Sequence, residues 1–198
     1  MKRPMRWAIL GPALAILPLA ACSSTHKAAT EVQSAAQAQV NPTLSTTDTN
    51  FINQAAAGGI AEVQLGQLAA KKGGTPAVRR FGEQMVREHT PVNDRLMQLA
   101  QTKQLSPSTT LDAPHQQTYD TLNGLRGRAF NQQYLTGQLA DHQDQLTLFQ
   151  TEAQSGTDPD VKAFAAQNVG VIQHHVDELQ RLTSAGGGSR RHRAQTQS

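Results

Sequence analysis

Apolar side chains recur every three or four residues over most of the chain, a spacing typical of amphipathic helices. In the first half, this spacing predicts a helix over residues 51–72 that ends at the Gly73-Gly74 pair. A second helix is predicted to begin with Thr75 as its N-cap and Pro76 as its first helical residue, and to fade near residue 105. These two helices are expected to form a hairpin.

The second half of the chain shows the same apolar spacing. It predicts one helix from about residue 128 to Ser155 and another that opens at Asp158-Pro159 and continues to about residue 183. The connection between the two halves is expected to carry a short helix over residues 113–123, capped by Asp112. The halves are therefore joined by a crossover of roughly 25 residues rather than by a short loop.

A weak internal repeat relates the two halves, because five residues of the second helix recur at a constant offset in the fourth. Pro76, Val78, Phe81, Asp94 and Leu96 correspond to Pro159, Val161, Phe164, Asp177 and Leu179. Two helical hairpins joined by a long crossover predict an all-α fold, a ferritin-like four-helix bundle. The alternative, a plain up-and-down bundle with an overlong loop, fits the length of the connection less well.

The N-terminus is predicted to be a targeting signal. Residues 1–21 comprise a basic start and an apolar stretch that is too short, and too interrupted by proline, for a membrane-spanning helix. The stretch ends in Leu19-Ala20-Ala21-Cys22, which looks like a bacterial lipobox. We therefore expect a lipoprotein signal peptide over residues 1–21 and a covalent lipid on Cys22. The alternative is an ordinary cleavage site followed by an unrelated cysteine.

Lipid-anchored Cys22 would place the protein in the cell envelope, and Ser23 after it favours the periplasmic face of the outer membrane by resemblance to other lipoproteins. Residues 22–50 are predicted to form a disordered tether, residues 51–183 the bundle and residues 184–198 a disordered basic tail. The bundle carries slightly more acidic than basic side chains, which argues against nucleic-acid binding. The expected partners are the membrane, through the lipid, and an unknown envelope component.

Three stretches of the chain carry a family resemblance. Residues 51–66 (FINQAAAGGIAEVQLG), 81–89 (FGEQMVREH) and 158–166 (DPDVKAFAA) resemble the DUF 4142 family, often labelled predicted outer-membrane protein. The resemblance covers about residues 50–183. It implies a ferritin-like bundle and a signal peptide, and it implies no reaction, because the family has no established one.

Each of the four long helices places one candidate metal ligand on its apolar stripe: Glu62, His89, His142 and His175. At a rise of about 1.5 Å per residue, the four differ in height by at most roughly 9 Å, so a shared layer is possible. Imidazoles with a carboxylate suit zinc, copper, iron or nickel. The sequence therefore allows a transition-metal site in the core.

A hydrogen-bonded polar layer without metal is the competing interpretation, and the sequence favours it. The carboxylate-bridged sites of ferritin-like bundles need two Glu-x-x-His motifs, whereas Val86 and Ile172 stand three residues before His89 and His175. A dinuclear iron oxidase is therefore not expected. A single-metal site and a layer that only fixes helix register both remain open.

Three neighbouring residues carry further expectations. Pro91 is expected to break the second helix. Glu88 is expected on the solvated face rather than as a partner of His89, and His174 in solvent.

Three functions are compatible with the sequence. The leading hypothesis is a non-enzymatic structural or interaction protein of the envelope, since neither a nucleophile-elbow serine nor a phosphate-binding glycine loop is present. The alternative is a metal-binding or redox bundle that uses the Glu/His layer. A bundle that binds a small molecule or a cell-wall component is the third, and a cavity beside the polar layer would favour it.

Overall fold

The computed structural model describes the backbone of residues 44–195 and the side chains of residues 44–185. This part of the chain contains five helices and no named strand. They are α1 (Thr46–Lys72), α2 (Pro76–Thr102), α3 (Ala113–Gly124), α4 (Gly127–Ser155) and α5 (Pro159–Gln195).

Most of the predicted helix ends are confirmed to within three residues. Thr75 caps α2, where its hydroxyl accepts a hydrogen bond from the Val78 amide, and Asp112 caps α3 by accepting one from the His115 amide. Asp158 accepts hydrogen bonds from the amides at the start of α5. Local capping chemistry thus sets these boundaries.

The predicted tether and tail are each too long. Helix α1 begins at Thr46, inside the predicted tether of residues 22–50, because Ser45 accepts a hydrogen bond from the Asp48 amide. Leu44 and Asp48 are buried. Helix α5 continues to Gln195, past the predicted start of the tail at residue 184, and no proline follows residue 184 to stop it.

The helix break expected at Pro91 is also wrong. Helix α2 is continuous, with Pro91 inside it. The ring lies on the exposed face of the helix, and the hydroxyl of Thr90 donates to the Val86 carbonyl oxygen one turn earlier. The missing amide donor is therefore accommodated without ending the helix.

The helices form a bundle of two hairpins, α1 with α2 and α4 with α5, joined by a crossover that contains α3. At one end of the bundle, Gly73 after α1 pairs with Gly127 at the start of α4. At the other end, Asp48 near the start of α1 accepts hydrogen bonds from Thr157 before α5. The direction is therefore up-down-down-up, which confirms the all-α, ferritin-like arrangement.

Helices α1 and α2 approach each other unusually closely at a pair of glycines. A Cβ on Gly82 would lie 2.6 Å from the carbonyl oxygen of Gly66, and a Cβ on Gly66 would lie 2.9 Å from that of Gly82. Only glycine fits this contact without moving a backbone. The two glycines thus fix the distance between the helices that carry Glu62 and His89.

The core consists of two apolar clusters with a polar layer between them. The cluster toward the start of α1 contains the aromatic group of Phe51, Phe149 and Phe164, with the rings of Phe51 and Phe149 4.9 Å apart. The other cluster contains Phe81, Phe130 and other residues toward the far end. The buried histidines and Glu62 lie between these clusters along the helices.

No helix within residues 44–195 is long and apolar enough to cross a membrane. The predicted signal peptide, Cys22 and the first part of the predicted tether lie outside the described residues.

Candidate metal centre

Three of the four predicted ligands meet in the core. His89 on α2, His142 on α4 and His175 on α5 each offer a ring nitrogen, and these nitrogens lie within 4.8 Å of one another. The centroid of the His89 ring lies 5.7 Å from that of the His142 ring and 5.3 Å from that of the His175 ring. The centroids of the His142 and His175 rings are 5.3 Å apart. We call these three residues the histidine triad.

Hydrogen bonds to other residues orient two members of the triad. His142 Nδ1 donates to the carbonyl oxygen of Gln138 at 2.9 Å, and His175 Nε2 donates to Glu88 Oε2 at 2.8 Å. A carbonyl or a carboxylate can only accept, so these nitrogens carry the protons. The lone pairs are therefore on His142 Nε2 and His175 Nδ1, and hydrogen bonds of this kind orient metal-binding histidines in proteins.

Each triad histidine also has a buried ring nitrogen without a hydrogen-bond partner. These atoms are His89 Nε2, His142 Nε2 and His175 Nδ1. Buried polar atoms are rarely left unsatisfied, so each one requires an explanation such as an ion or a water. An imidazole lone pair is a metal ligand, and three imidazoles whose ring nitrogens approach within 4.8 Å form a metal-binding arrangement.

Burial keeps the triad neutral. Desolvation, with a smaller contribution from the neighbouring histidines, lowers the pKa of His89 to about 3. Desolvation lowers the pKa of His142 to about 4 and also lowers that of His175, although the hydrogen bond to Glu88 opposes it there. Neutral imidazole is the form that binds metal, so the triad does not have to lose protons near neutral pH.

Glu62, the fourth predicted ligand, does not join the triad. Its Oε1 lies 3.6 Å from His142 Nδ1, the nitrogen that already donates to Gln138, and 3.4 Å from the side-chain amide nitrogen of Gln138. Desolvation raises the pKa of Glu62 to about 8, although the hydrogen bond from Gln138 opposes this. Glu62 therefore lies near the hydrogen-bonded nitrogen of His142, Nδ1, rather than near its free nitrogen, Nε2.

A cavity of about 30 Å³ adjoins the triad and is lined by both His89 and His142. Its lining also includes Val171 of α5, which is 39% exposed. A volume of this size holds a water molecule or an ion. The cavity thus leaves room for a small ligand beside the triad.

Three imidazoles of this kind can hold one ion in a site with an open position. Bonds of about 2.0–2.1 Å to zinc require the three nitrogens to lie about 3.3 Å apart. The nitrogens are within 4.8 Å of one another, so small rotations of the rings must accompany binding. A three-histidine site suits zinc, copper, iron or nickel.

Sequence reasoning missed the roles of Glu88 and Gln138. The sequence predicts Glu88 on the solvated face, but its carboxylate accepts a hydrogen bond from His175 across the bundle. That hydrogen bond lowers the pKa of Glu88, although burial opposes the shift. Gln138 lies four residues before His142 on the same stripe, which is a signal that could have found it. His174 is exposed, as predicted.

A second polar contact lies at the end of the bundle where α1 begins, where the sequence predicted only a turn. Asp48 Oδ1 accepts from the Thr157 amide at 2.8 Å, and the buried carboxyl group of Glu152 lies beside Asp48. Burial, with a smaller contribution from Asp48, raises the pKa of Glu152 to about 8. Glu152 therefore keeps its proton at neutral pH.

The comparisons with known proteins give the family and the fold. A domain of unknown function, DUF4142, matches residues 31–182. The crystal structure of a DUF305 fragment from Deinococcus radiodurans superimposes with a TM-score of 0.63 at 11% identity, covering 72% of this chain and 98% of that one. At this identity the likeness shows the fold alone. No curated protein matches the sequence significantly. Because the family model covers most of the sequence, the chain belongs to the DUF4142 family.

Proposed function

We propose that this protein binds a single transition-metal ion through His89, His142 and His175. Two observations carry the proposal: each triad histidine offers a ring nitrogen within 4.8 Å of the others, and each has a buried ring nitrogen without a hydrogen-bond partner. Hydrogen bonds to the Gln138 carbonyl oxygen and the Glu88 carboxylate already orient two of these imidazoles. Such orientation is what a metal site needs and what a chance cluster of histidines lacks.

The metal-binding role rests on three histidines rather than on the four residues expected from the sequence. Neutral, nitrogen-only ligands favour zinc, copper, nickel or iron over calcium or magnesium, which prefer oxygen. The adjoining cavity leaves room for a water or small ligand on the ion. Storage, sensing and redox chemistry are all compatible with one such ion.

The test is metal analysis of protein purified without a histidine tag, followed by titration with Zn²⁺. We expect one ion per chain, and loss of that ion in the His89→Ala and His142→Ala variants. His174→Ala is the matched control, because His174 is exposed and next to His175. Circular dichroism checks that each variant remains helical.

Equal zinc binding by the wild type and both triad variants would contradict the proposal, as would the absence of stoichiometric binding. Either result would support the second candidate, a structural or interaction protein with a polar core layer. The hydrogen bond between Glu88 on α2 and His175 on α5 favours that candidate, since it fixes two helices in register without metal.

We further propose that the bundle is held at the cell envelope by a lipid on Cys22. The support is the lipobox-like sequence 19–22 after a basic and apolar segment. More than one acyl chain is needed for stable anchoring, which lipoprotein cysteines provide. Cys22→Ala should release the protein from the membrane fraction to the soluble periplasm. A variant that stays on the membrane would show that Cys22 is not the anchor.

A further inference from the structure

Basic side chains are concentrated at one end of the bundle, the end where Gly73 pairs with Gly127. Of the eleven lysines and arginines within residues 44–185, seven lie at this end. They are Lys71 and Lys72 of α1, Arg79 and Arg80 of α2, Arg126 and Arg128 around the start of α4, and Arg181 of α5. We call these seven residues the basic end.

Contacts between helices bring the basic end together. Lys72 Nζ donates to the carbonyl oxygen of Asn123, shortly before α4, and Arg79 donates to the Gly73 carbonyl oxygen at 2.6 Å. Leu182 of α5 packs against the apolar cluster at this end of the core, which places the adjacent arginine here as well. Residues from four helices thus contribute charge to one face of the molecule.

Neighbouring carboxylates do not neutralise this charge. None of the seven side chains forms an ion pair with a carboxylate of residues 44–185. Five of the seven are exposed, and Lys72 and Arg79 are half-buried. Four acidic residues lie within six positions of them in the chain, namely Glu83, Asp120, Asp177 and Glu178. The net charge of the basic end is therefore positive.

The opposite end of the bundle does not share this charge. Asp48, Asp158 and Asp160 lie there and outnumber Lys103 and Lys162. Lys103 Nζ is 2.7 Å from a carboxylate oxygen of each of the last two aspartates, so its charge is balanced. The bundle is therefore asymmetric in charge along its length, and an anionic surface would orient it with the basic end forward.

Two features of the helices extend the positive charge. Helix α4 has no side-chain cap at its start, where the helix dipole is positive. Helix α5 continues beyond this end of the bundle to Gln195, and its sequence contains Arg190, Arg191 and Arg193. Basic residues thus follow Arg181 along the same helix.

The basic end offers charge without exposed apolar or aromatic surface. Among the side chains that the structure describes, the exposed large apolar one is Val171, ten residues before Arg181. The nearby rings of Phe81, Phe130 and Tyr134 are buried. Single-stranded nucleic acids need exposed rings on which bases stack. The partner is therefore one that is bound through charge over a broad face.

We propose that the basic end docks on the surface of a bilayer that contains anionic phospholipids. Five of the seven residues are arginines, and a guanidinium group pairs bidentately with phosphate oxygens. Each lysine or arginine near an anionic bilayer increases affinity by about fivefold. Such binding is reversible and falls with ionic strength. It uses neither the metal site nor the lipid on Cys22.

The experiment measures co-sedimentation with vesicles of equal parts phosphatidylglycerol and phosphatidylcholine, and with vesicles of phosphatidylcholine alone. The protein is the chain from residue 23, which lacks the predicted signal peptide and Cys22 but contains all the described helices. We expect binding to the anionic vesicles alone, and loss of that binding as sodium chloride is added.

Two double variants that remove equal charge provide the matched pair. Arg80→Gln with Arg128→Gln changes two exposed residues of the basic end and should weaken vesicle binding by about tenfold or more. Arg95→Gln with Lys162→Gln changes residues outside it and should weaken binding by less than about twofold. Circular dichroism checks that both variants remain helical.

Three outcomes would overturn the proposal. They are the absence of binding to the anionic vesicles, binding that salt does not weaken, and equal losses in the two double variants. Retention on purified peptidoglycan without binding to vesicles would also overturn it, and would assign the basic end to a cell-wall polymer. Zinc binding is measured on the same variants, so failure of this proposal is distinguishable from failure of the metal site.

Discussion

At the scale of single residues, the histidine triad is a costly arrangement when it holds no ion. Each buried nitrogen without a partner costs about 1–3 kcal/mol, and the apolar surroundings also prevent protonation from relieving it. A bound ion would satisfy the three lone pairs at once. Site residues that reduce stability in this way are a common feature of functional sites.

Glu88 gives a prediction at this scale. Its carboxylate orients His175 through a 2.8 Å hydrogen bond, and loss of such a partner typically lowers metal affinity by about 10–100-fold. Glu88→Ala should therefore weaken zinc binding by that factor, measured by competition with a chromogenic chelator. Glu83→Ala, an exposed glutamate on the same helix, is the control and should bind zinc as the wild type does. Equal affinities of the two variants would show that Glu88 does not orient a ligand.

The sequence predicted which histidines face inward but not how they pair. The intervals that place His89, His142 and His175 on apolar stripes follow from helix geometry alone. The exclusion of Glu62 from the triad and the contact from Glu88 depend on how the helices rotate and pack against each other. Helix periodicity contains no information about these contacts between helices.

At the scale of helices, the closest contact in the first hairpin depends on glycine. Gly82→Ala would place a Cβ 2.6 Å from the Gly66 carbonyl oxygen, so a backbone must move. We expect a loss of about 1–3 kcal/mol in the free energy of unfolding, measured by urea denaturation. Gly170→Ala is the opposite control, since its Cβ meets nothing within 4 Å. This variant should have a free energy of unfolding about 0.5–1 kcal/mol higher than the wild type. Equal stability of the two variants would mean that the hairpin can relax around a methyl group.

Helix boundaries were predictable where capping residues mark them. Thr75, Asp112 and Asp158 each cap a helix as expected. The start of α1 was missed because Ser45 lies in a polar segment that resembles a tether, although its hydroxyl is a standard cap. Pro91 was misjudged because its effect depends on whether the surrounding helix is held by packing, which the local sequence does not specify.

At the scale of the whole molecule, the bundle is closed at one end by a carboxyl pair that joins three helices. Asp48 of α1 accepts hydrogen bonds from Thr157, just before α5, and lies beside the buried carboxyl group of Glu152 of α4. Burial alone would raise the pKa of Asp48, but its hydrogen bonds hold it well below the usual range. Asp48 is therefore the charged partner and Glu152 the protonated one.

This pair predicts the pH dependence of stability. The pKa of Glu152 is about 8 in the folded protein against 4.5 as its ordinary value. Between these values the unfolded chain releases a proton that the folded protein keeps, so its contribution to stability is lost as the pH rises toward 8 and beyond. We expect a loss on the order of 2–4 kcal/mol from this group across that interval, measured by urea denaturation.

Glu152→Gln should make that profile less steep, because an amide does not titrate, whereas buried Glu62, with a pKa of about 8, still loses its proton in the same interval. Glu83→Gln changes an exposed carboxylate and should leave the profile as it is in the wild type. A Glu152→Gln profile as steep as that of the wild type would mean that Glu152 is already ionised in the folded protein.

The overall arrangement was the most predictable part of the molecule. Two hairpins and a long crossover follow from the repeat and from the length of the connection, and the structure has both. The carboxyl pair at the end of the bundle was not predictable, because Asp48 and Glu152 are distant in the chain and meet only after the hairpins have packed.

The most direct test of the metal-binding account is X-ray absorption spectroscopy at the zinc edge of the zinc-loaded protein. The account predicts three nitrogen neighbours at about 2.0–2.1 Å, with the outer-shell scattering of three imidazole rings. His142→Ala should remove one ring from that spectrum. A zinc environment made mainly of oxygen, or one unchanged in His142→Ala, would contradict the assignment of His89, His142 and His175 as ligands.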